Sequence, residues 1–227
     1  MIRISTRVAA ACLSLAAAAA LPGCISLLPE SEPRMIYRLA APEEAREVAT
    51  RLEGASTVAV REPIAPRALA GNRIALMREG RIAYLSGADW ISPVPRMVHA
   101  MILDAFNADQ ADVAAVRPEE GVLAGYDLNL ELRRFEAVYD GGSGDAPLVM
   151  IRLRARIVDS GDRTLVAGRL FEQSRRASAN RQGAIVDAFS EAAWLMSEEL
   201  AAWTADEVVA AGQTPPTDPD EPESVIR

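Results

Sequence analysis

The sequence predicts an α+β fold: an antiparallel sheet, including a three-strand meander, covered on one face by two helices. Three observations carry this. Apolar and polar residues alternate over two long runs, Tyr126–Tyr139 and Val149–Ile157, and a third segment, Leu165–Ala177, returns after them. That is the pattern of strands with one buried and one solvated face. Apolar stripes at helical spacing run from Val94 to Phe106 and from Ile185 to Trp203. Two helices on one face of such a sheet make a two-layer domain.

In chain order, residues 1–23 read as a signal peptide. Arg3 and Arg7 give a positive start, and Val8–Leu21 is apolar except for Ser14. This run is shorter than the ~20 residues a bilayer-spanning helix needs. It ends in Leu21-Pro22-Gly23-Cys24, which resembles a bacterial lipobox. Gly23 would admit the signal peptidase, and the Cys24 thiol would carry a diacylglycerol through a thioether. The competing reading is ordinary secretion with cleavage at Ala16–Ala20 and a free Cys24. Residue 25 is Ile and not the Asp that commonly holds lipoproteins at the inner membrane, which points to the outer membrane facing the periplasm.

Residues 24–34, with Pro29 and Pro33, read as a lipidated tether. A single domain is expected over 35–205. Met35–Leu39 predicts a first strand, and Pro42–Leu52 a short helix. Thr57–Val60, Arg73–Arg78 and Arg81–Leu85 predict strands, the last two joined by a tight turn at Glu79-Gly80. Ser92-Pro93 predicts a helix start, with Ser as cap and Pro at the first helical position. Val94, Val98, Met101, Ile102, Ala105 and Phe106 share one face of that helix. Val113–Val116 is a further short strand. The apolar parity of Tyr126, Leu128, Leu130 and Leu132 switches to Phe135, Ala137 and Tyr139, which predicts a bulge near Arg133-Arg134. Ile185, Phe189, Ala192, Met196, Leu200 and Trp203 form the stripe of the last helix. Residues 206–227, acidic and Pro-rich toward the end, are expected to be a disordered tail.

Composition narrows the function. The 227 residues are half hydrophobic, so a sizeable core is available. The net charge is −8, with 32 acids against 24 basic residues, all Arg. That balance argues against a nucleic-acid binder, which needs a basic face. His99 is the one His, and the two Cys are Cys12 and Cys24. The common zinc ligand sets cannot be assembled from them, and a Ser-His-Asp triad would depend on His99 alone. No Walker or GxSxG pattern occurs. The expectation is a protein with no catalytic residue, no metal and no cofactor beyond a covalent lipid on Cys24. A periplasmic hydrolase using paired carboxylates is the enzymatic alternative.

The order of segments carries a resemblance. The lipobox at Cys24 comes first, then Tyr37-Arg38-Leu39, Val58-Ala59-Val60, Leu69, Arg73-Ile74 and Ile82-Ala83-Tyr84. Trp90-Ile91-Ser92-Pro93, Val98, Leu103, Phe106, Tyr126-Asp127-Leu128 and the terminal helix follow. This order resembles the ABC-type transport auxiliary lipoproteins. They are the PqiC-like family that accompanies Mce-domain (MlaD-like) lipid transporters. The resemblance implies a lipoprotein at the periplasmic face of the outer membrane. It would dock an Mce-domain conduit powered by an ABC ATPase elsewhere, with phospholipid a possible ligand and a homo-oligomer possible. An envelope assembly or scaffold lipoprotein binding an outer-membrane barrel or polymer is the alternative.

Some residues carry two readings each. Tyr84, Trp90 and Pro93 are candidate partner contacts, because Trp and Tyr dominate interface hot spots. Trp90 is equally a core plug, with Pro93 setting the helix start. Arg152, Arg154 and Arg156 point the same way from one strand. They are a candidate face for phospholipid headgroups or an acidic partner, or else they pair across strands with Glu131, Glu136 or Glu172. His99 is expected to be structural or on the surface.

Overall fold

A computed structural model describes residues 33–42, 55–109, 113–141 and 144–213. Gly23 and Cys24, nearly all of the expected Pro42–Leu52 helix, and residues 214–227 lie outside them. The elements are β1 (Met35–Tyr37), β2 (Ser56–Val60), β3 (Arg73–Arg78), β4 (Arg81–Trp90), α1 (Val94–Asp109) and β5 (Val113–Val116). They continue with β6 (Tyr126–Val138), β7 (Leu148–Asp159), β8 (Leu165–Arg176) and α2 (Gln182–Gln213).

The fold is α+β as expected, but the eight-stranded sheet is mixed and not antiparallel throughout. β6 organises it. Along one edge it pairs antiparallel with β7 over its full length, and β7 pairs antiparallel with β8. This is the predicted meander. The other edge of β6 is shared by two parallel strands. β2 pairs at its start, with Val58–Val60 beside Tyr126–Leu128, and β3 pairs at its end, with Leu76 and Met77 beside Ala137 and Val138. Ile64 bridges to Glu131 between them. β5 joins β2 in parallel, β4 returns antiparallel to β3, and β1 joins β4 in parallel. Parallel neighbours arise because β2 and β3 run the same way along one edge of β6.

Local chemistry explains the individual elements. Glu79 and Gly80 both have positive φ (50° and 74°), the conformation that a two-residue hairpin needs to match strand twist. The ladder between β6 and β7 shifts at Leu132/Arg134, the expected bulge. It lets Leu128, Leu130, Leu132, Phe135 and Ala137 all face inward, opposite the fully buried Val149, Ile151, Leu153, Ala155 and Ile157. β4 runs five residues past the expected end at Leu85. Its path is bent by Gly87 at φ +68° and by a register shift between Arg73 and Ala75.

The start of α1 falls one residue later than expected. The Pro93 carbonyl accepts the first helical bond from Met97 N–H, and Val94 N–H is drawn to Gly71 O. The expected tail boundary at 206 is also corrected. Ala205 and Val208 are buried and continue the inward face, so residues 206–213 belong to α2. α2 is buried against β7, β8 and α1. Its buried Ser190, Ser197 and Thr204 hydroxyls donate to carbonyls four residues back, at 3.1, 2.8 and 2.8 Å. Polar atoms are thereby satisfied within the helix itself. The centre of the core is aromatic. Trp90 meets Phe189 edge-on at 5.4 Å and Phe135 at 6.0 Å, and Phe135 stacks on Phe189 at 4.8 Å.

Candidate functional site

The helices close one face of the meander and leave the other polar. On the open face, β6 presents Glu131, Arg134 and Glu136, and β7 presents Arg152, Arg154 and Arg156. β8 presents Gly168, Leu170 and Glu172. Strand register fixes their neighbours. Arg152 lies between Arg134 and Glu172, Arg154 between Glu131 and Leu170, and Arg156 between Asn129 and Gly168.

The predicted row of three arginines is therefore real as a row but not uniform. Arg152 pairs with Glu172, its Nε 2.7 Å from Oε2. Arg134 pairs with the buried Glu136 carboxylate at 2.8 Å. Glu131 is engaged by Arg133 through two bonds of 3.1 and 3.2 Å. Chiefly those bonds hold its carboxyl below the usual range, against the opposing effect of desolvation, and the fields of Arg133, Arg154 and Arg156 add to the lowering. Among the described residues, neither Arg154 nor Arg156 closes an ion pair. Between them and β8 lies a notch of about 210 Å³, lined by Arg154, Ala155, Arg156, Gly168, Arg169 and Leu170. Cross-strand pairing thus accounts for Arg152 and leaves two guanidiniums uncommitted beside a glycine.

The aromatic candidates resolve differently. Trp90 is only 1% exposed and is the core plug, so it is not available to a partner. Its Nε1–H is buried without an acceptor among the described residues. Tyr84 is half-buried. Its hydroxyl donates to Ala68 O at 3.2 Å, and the Arg73 guanidinium lies 3.5 Å over its ring. Pro93 is exposed. His99 is buried and structural. Its Nε2–H donates to Val60 O at 2.8 Å and fastens α1 to β2. Sequence reasoning missed Arg34–Asp89, a 2.8 Å pair that clasps the residue just before β1 to the end of β4. Among the described residues only Asp89 Oδ2 is used, and the buried Oδ1 has no hydrogen-bond partner.

A hollow of about 120 Å³ between Arg38–Ala41 and α1 holds one carboxyl, Asp104, pushed up by burial against the pull of Arg117. Among the described residues no three His, Cys, Asp or Glu side chains are placed to hold a metal. No described helix is long and apolar enough to cross a membrane.

The chain matches the ABC-type transport auxiliary lipoprotein component family over residues 37–201, and it belongs to that family. It is 30% identical over 171 residues to the uncharacterized protein bll6063 of Bradyrhizobium diazoefficiens, covering 75% of this chain. The matched segment spans less than half, 45%, of that relative's length. The crystal structure of protein XCC0632 from Xanthomonas campestris superimposes with a TM-score of 0.66 at 28% identity, covering 79% of this chain and all of that one. A second crystal structure, of an uncharacterized protein, gives a TM-score of 0.60 at 16% identity, covering 76% of this chain and 99% of that one. At that identity the likeness is one of fold alone.

Proposed function

We propose that this protein is a non-enzymatic, lipid-anchored subunit of an Mce-type ABC phospholipid transport system. It docks the transport conduit at the periplasmic face of the outer membrane. The observation that supports this most is the succession along the chain: the Leu21-Pro22-Gly23-Cys24 sequence is followed, after a short tether, by an ABC transport auxiliary domain over residues 37–201.

The physics of the anchor fits the role. Each buried acyl CH₂ contributes ~0.8 kcal/mol, and a single chain binds only reversibly, so the several chains of a lipidated Cys24 hold a protein at a bilayer without a spanning helix. Ile25 favours the outer membrane. The family's ABC partner supplies the ATP hydrolysis. The Mce-domain protein is the conduit, and this chain contributes position.

Affinity purification of the acylated protein from membranes in mild detergent tests the proposal. An Mce-domain protein together with a permease and an ATPase among its companions is the expected result. An outer-membrane barrel as the dominant companion, with no transporter component, would overturn it in favour of an assembly lipoprotein.

A further inference from the structure

We infer that the notch between β7 and β8 binds the phosphate of a phospholipid headgroup, with Arg154 and Arg156 as its ligands. The inference rests on the reading of Cys24 as a membrane anchor for its choice of lipid over free phosphate. The site itself stands on the geometry of the sheet.

Arg154 and Arg156 are two residues apart on one strand, so their side chains leave the same face. Most sheet arginines of this acidic protein have a carboxylate of their own. Arg152 has Glu172, Arg134 has Glu136, Arg133 has Glu131, Arg169 has Glu199, Arg175 has Glu191 and Arg176 has Asp140. Among the described residues, Arg154 and Arg156 do not. Glu131, opposite Arg154 in the ladder, is already held by Arg133. Two uncommitted guanidiniums suit one phosphate group, which accepts bidentate, charge-assisted bonds from each.

Gly168 makes the space. It lies opposite Arg156 in the ladder, where any other residue would project over the notch. A Cβ there would meet only Ala155 O at 3.6 Å and Arg156 Cγ at 3.7 Å, ordinary contact distances. The gap is therefore not required by packing. Leu170, opposite Arg154 and 44% exposed, supplies an apolar rim. A cationic pair beside an exposed Leu matches an amphiphile, a phosphodiester with glyceryl and acyl carbons attached, better than it matches inorganic phosphate. An acidic peptide would gain nothing from the glycine gap.

The test is calorimetric titration of the acylated full chain in a zwitterionic detergent lacking phosphate. The probes are dihexanoyl phosphatidylglycerol below its micellar concentration, inorganic phosphate, and a tetra-acidic peptide. Saturable binding of phosphatidylglycerol is expected, at least tenfold tighter than of phosphate or peptide. The double variant Arg154→Gln/Arg156→Gln should weaken it at least tenfold, and Arg152→Gln should leave it within about twofold. Gly168→Val fills the notch without changing charge and suits a strand, so it should abolish binding while the far-UV circular dichroism and melting temperature hold. Equal affinity for the three probes would overturn the inference by making the face a general anion patch. Preference for inorganic phosphate would overturn the lipid assignment, and undiminished binding by Gly168→Val would overturn the site. None of these outcomes depends on which transporter components copurify, so this inference and the proposed function fail separately.

Discussion

Replacing Trp90 decides between its two sequence readings, because the structure gives the core reading a magnitude. The ring is 1% exposed and packs edge-on against Phe189 and Phe135. Truncating such a residue to Ala removes its transfer free energy and leaves a cavity, at a cost of ~3–5 kcal/mol. Phe is a different perturbation. It keeps most of the aromatic contact, and it also removes an indole N–H that is buried without an acceptor, a burden of ~1–3 kcal/mol. The two effects oppose each other, so Trp90→Phe should lie within about 1 kcal/mol of wild type. Urea unfolding followed by far-UV circular dichroism reads both. For a slope of ~2 kcal/mol/M, Trp90→Ala should lower the midpoint by about 2 M with the slope unchanged, and Trp90→Phe by less than about 0.5 M. Since domains of this kind are stable by only ~5–15 kcal/mol, the Ala variant should also accumulate poorly in cells. A Trp90→Ala protein as stable as wild type would refute the core assignment. If it also lost its companions, Trp90 would return to the status of a partner contact.

Other consequences are equally open to measurement. Asp140 is held at about 2 instead of 3.8, chiefly by its hydrogen bonds from Arg176. Because the folded value lies below the unfolded one, the pair's stabilisation is complete above pH 3.8 and is lost as pH falls through 2. An NMR titration of Asp140 should show this depressed midpoint, and Arg176→Gln should return it toward the ordinary value. Gly80→Val should destabilise the β3–β4 hairpin by about 1–2 kcal/mol in thermal or urea unfolding, and Gly80→Asn by less, because at φ +74° with nothing nearby the cost is purely one of backbone conformation. Cys24→Ala should move the protein from the membrane to the soluble periplasmic fraction on fractionation. Its retention in the membrane would contradict the anchor.

What could be read from the sequence was what depends on neighbours along the chain. The alternation of Leu128, Leu130 and Leu132, its switch at Phe135, and the arginine parity of β7 fix faces and a bulge without knowledge of the partner strand. The Glu79-Gly80 turn and the Val94–Phe106 stripe are local in the same way. The pairing of β2 and β3 with β6 was not legible, because a short apolar run such as Val58-Ala59-Val60 looks alike beside a parallel or an antiparallel neighbour. β4 was underestimated because Ser86, Gly87 and Asp89 interrupt the apolar pattern while the backbone ladder continues. α2 was cut short because Asp206 and Glu207 signal a tail, whereas Ala205 and Val208 keep its inner face buried. The notch was half legible. The arginines were visible as a row, but the role of Gly168 follows only from its place opposite Arg156, and the split between paired Arg152 and unpaired Arg154 and Arg156 only from where Glu172 and Glu131 stand.

Reconstituted lipid transfer tests the central claim most directly. Donor vesicles carrying the copurified transporter and a fluorescent phospholipid are mixed with acceptor vesicles that hold either the acylated protein or none. ATP-dependent arrival of label in the acceptors should rise severalfold with the acylated chain and fall to the background rate with Cys24→Ala. Transfer at the same rate with the protein present or absent would contradict a docking role.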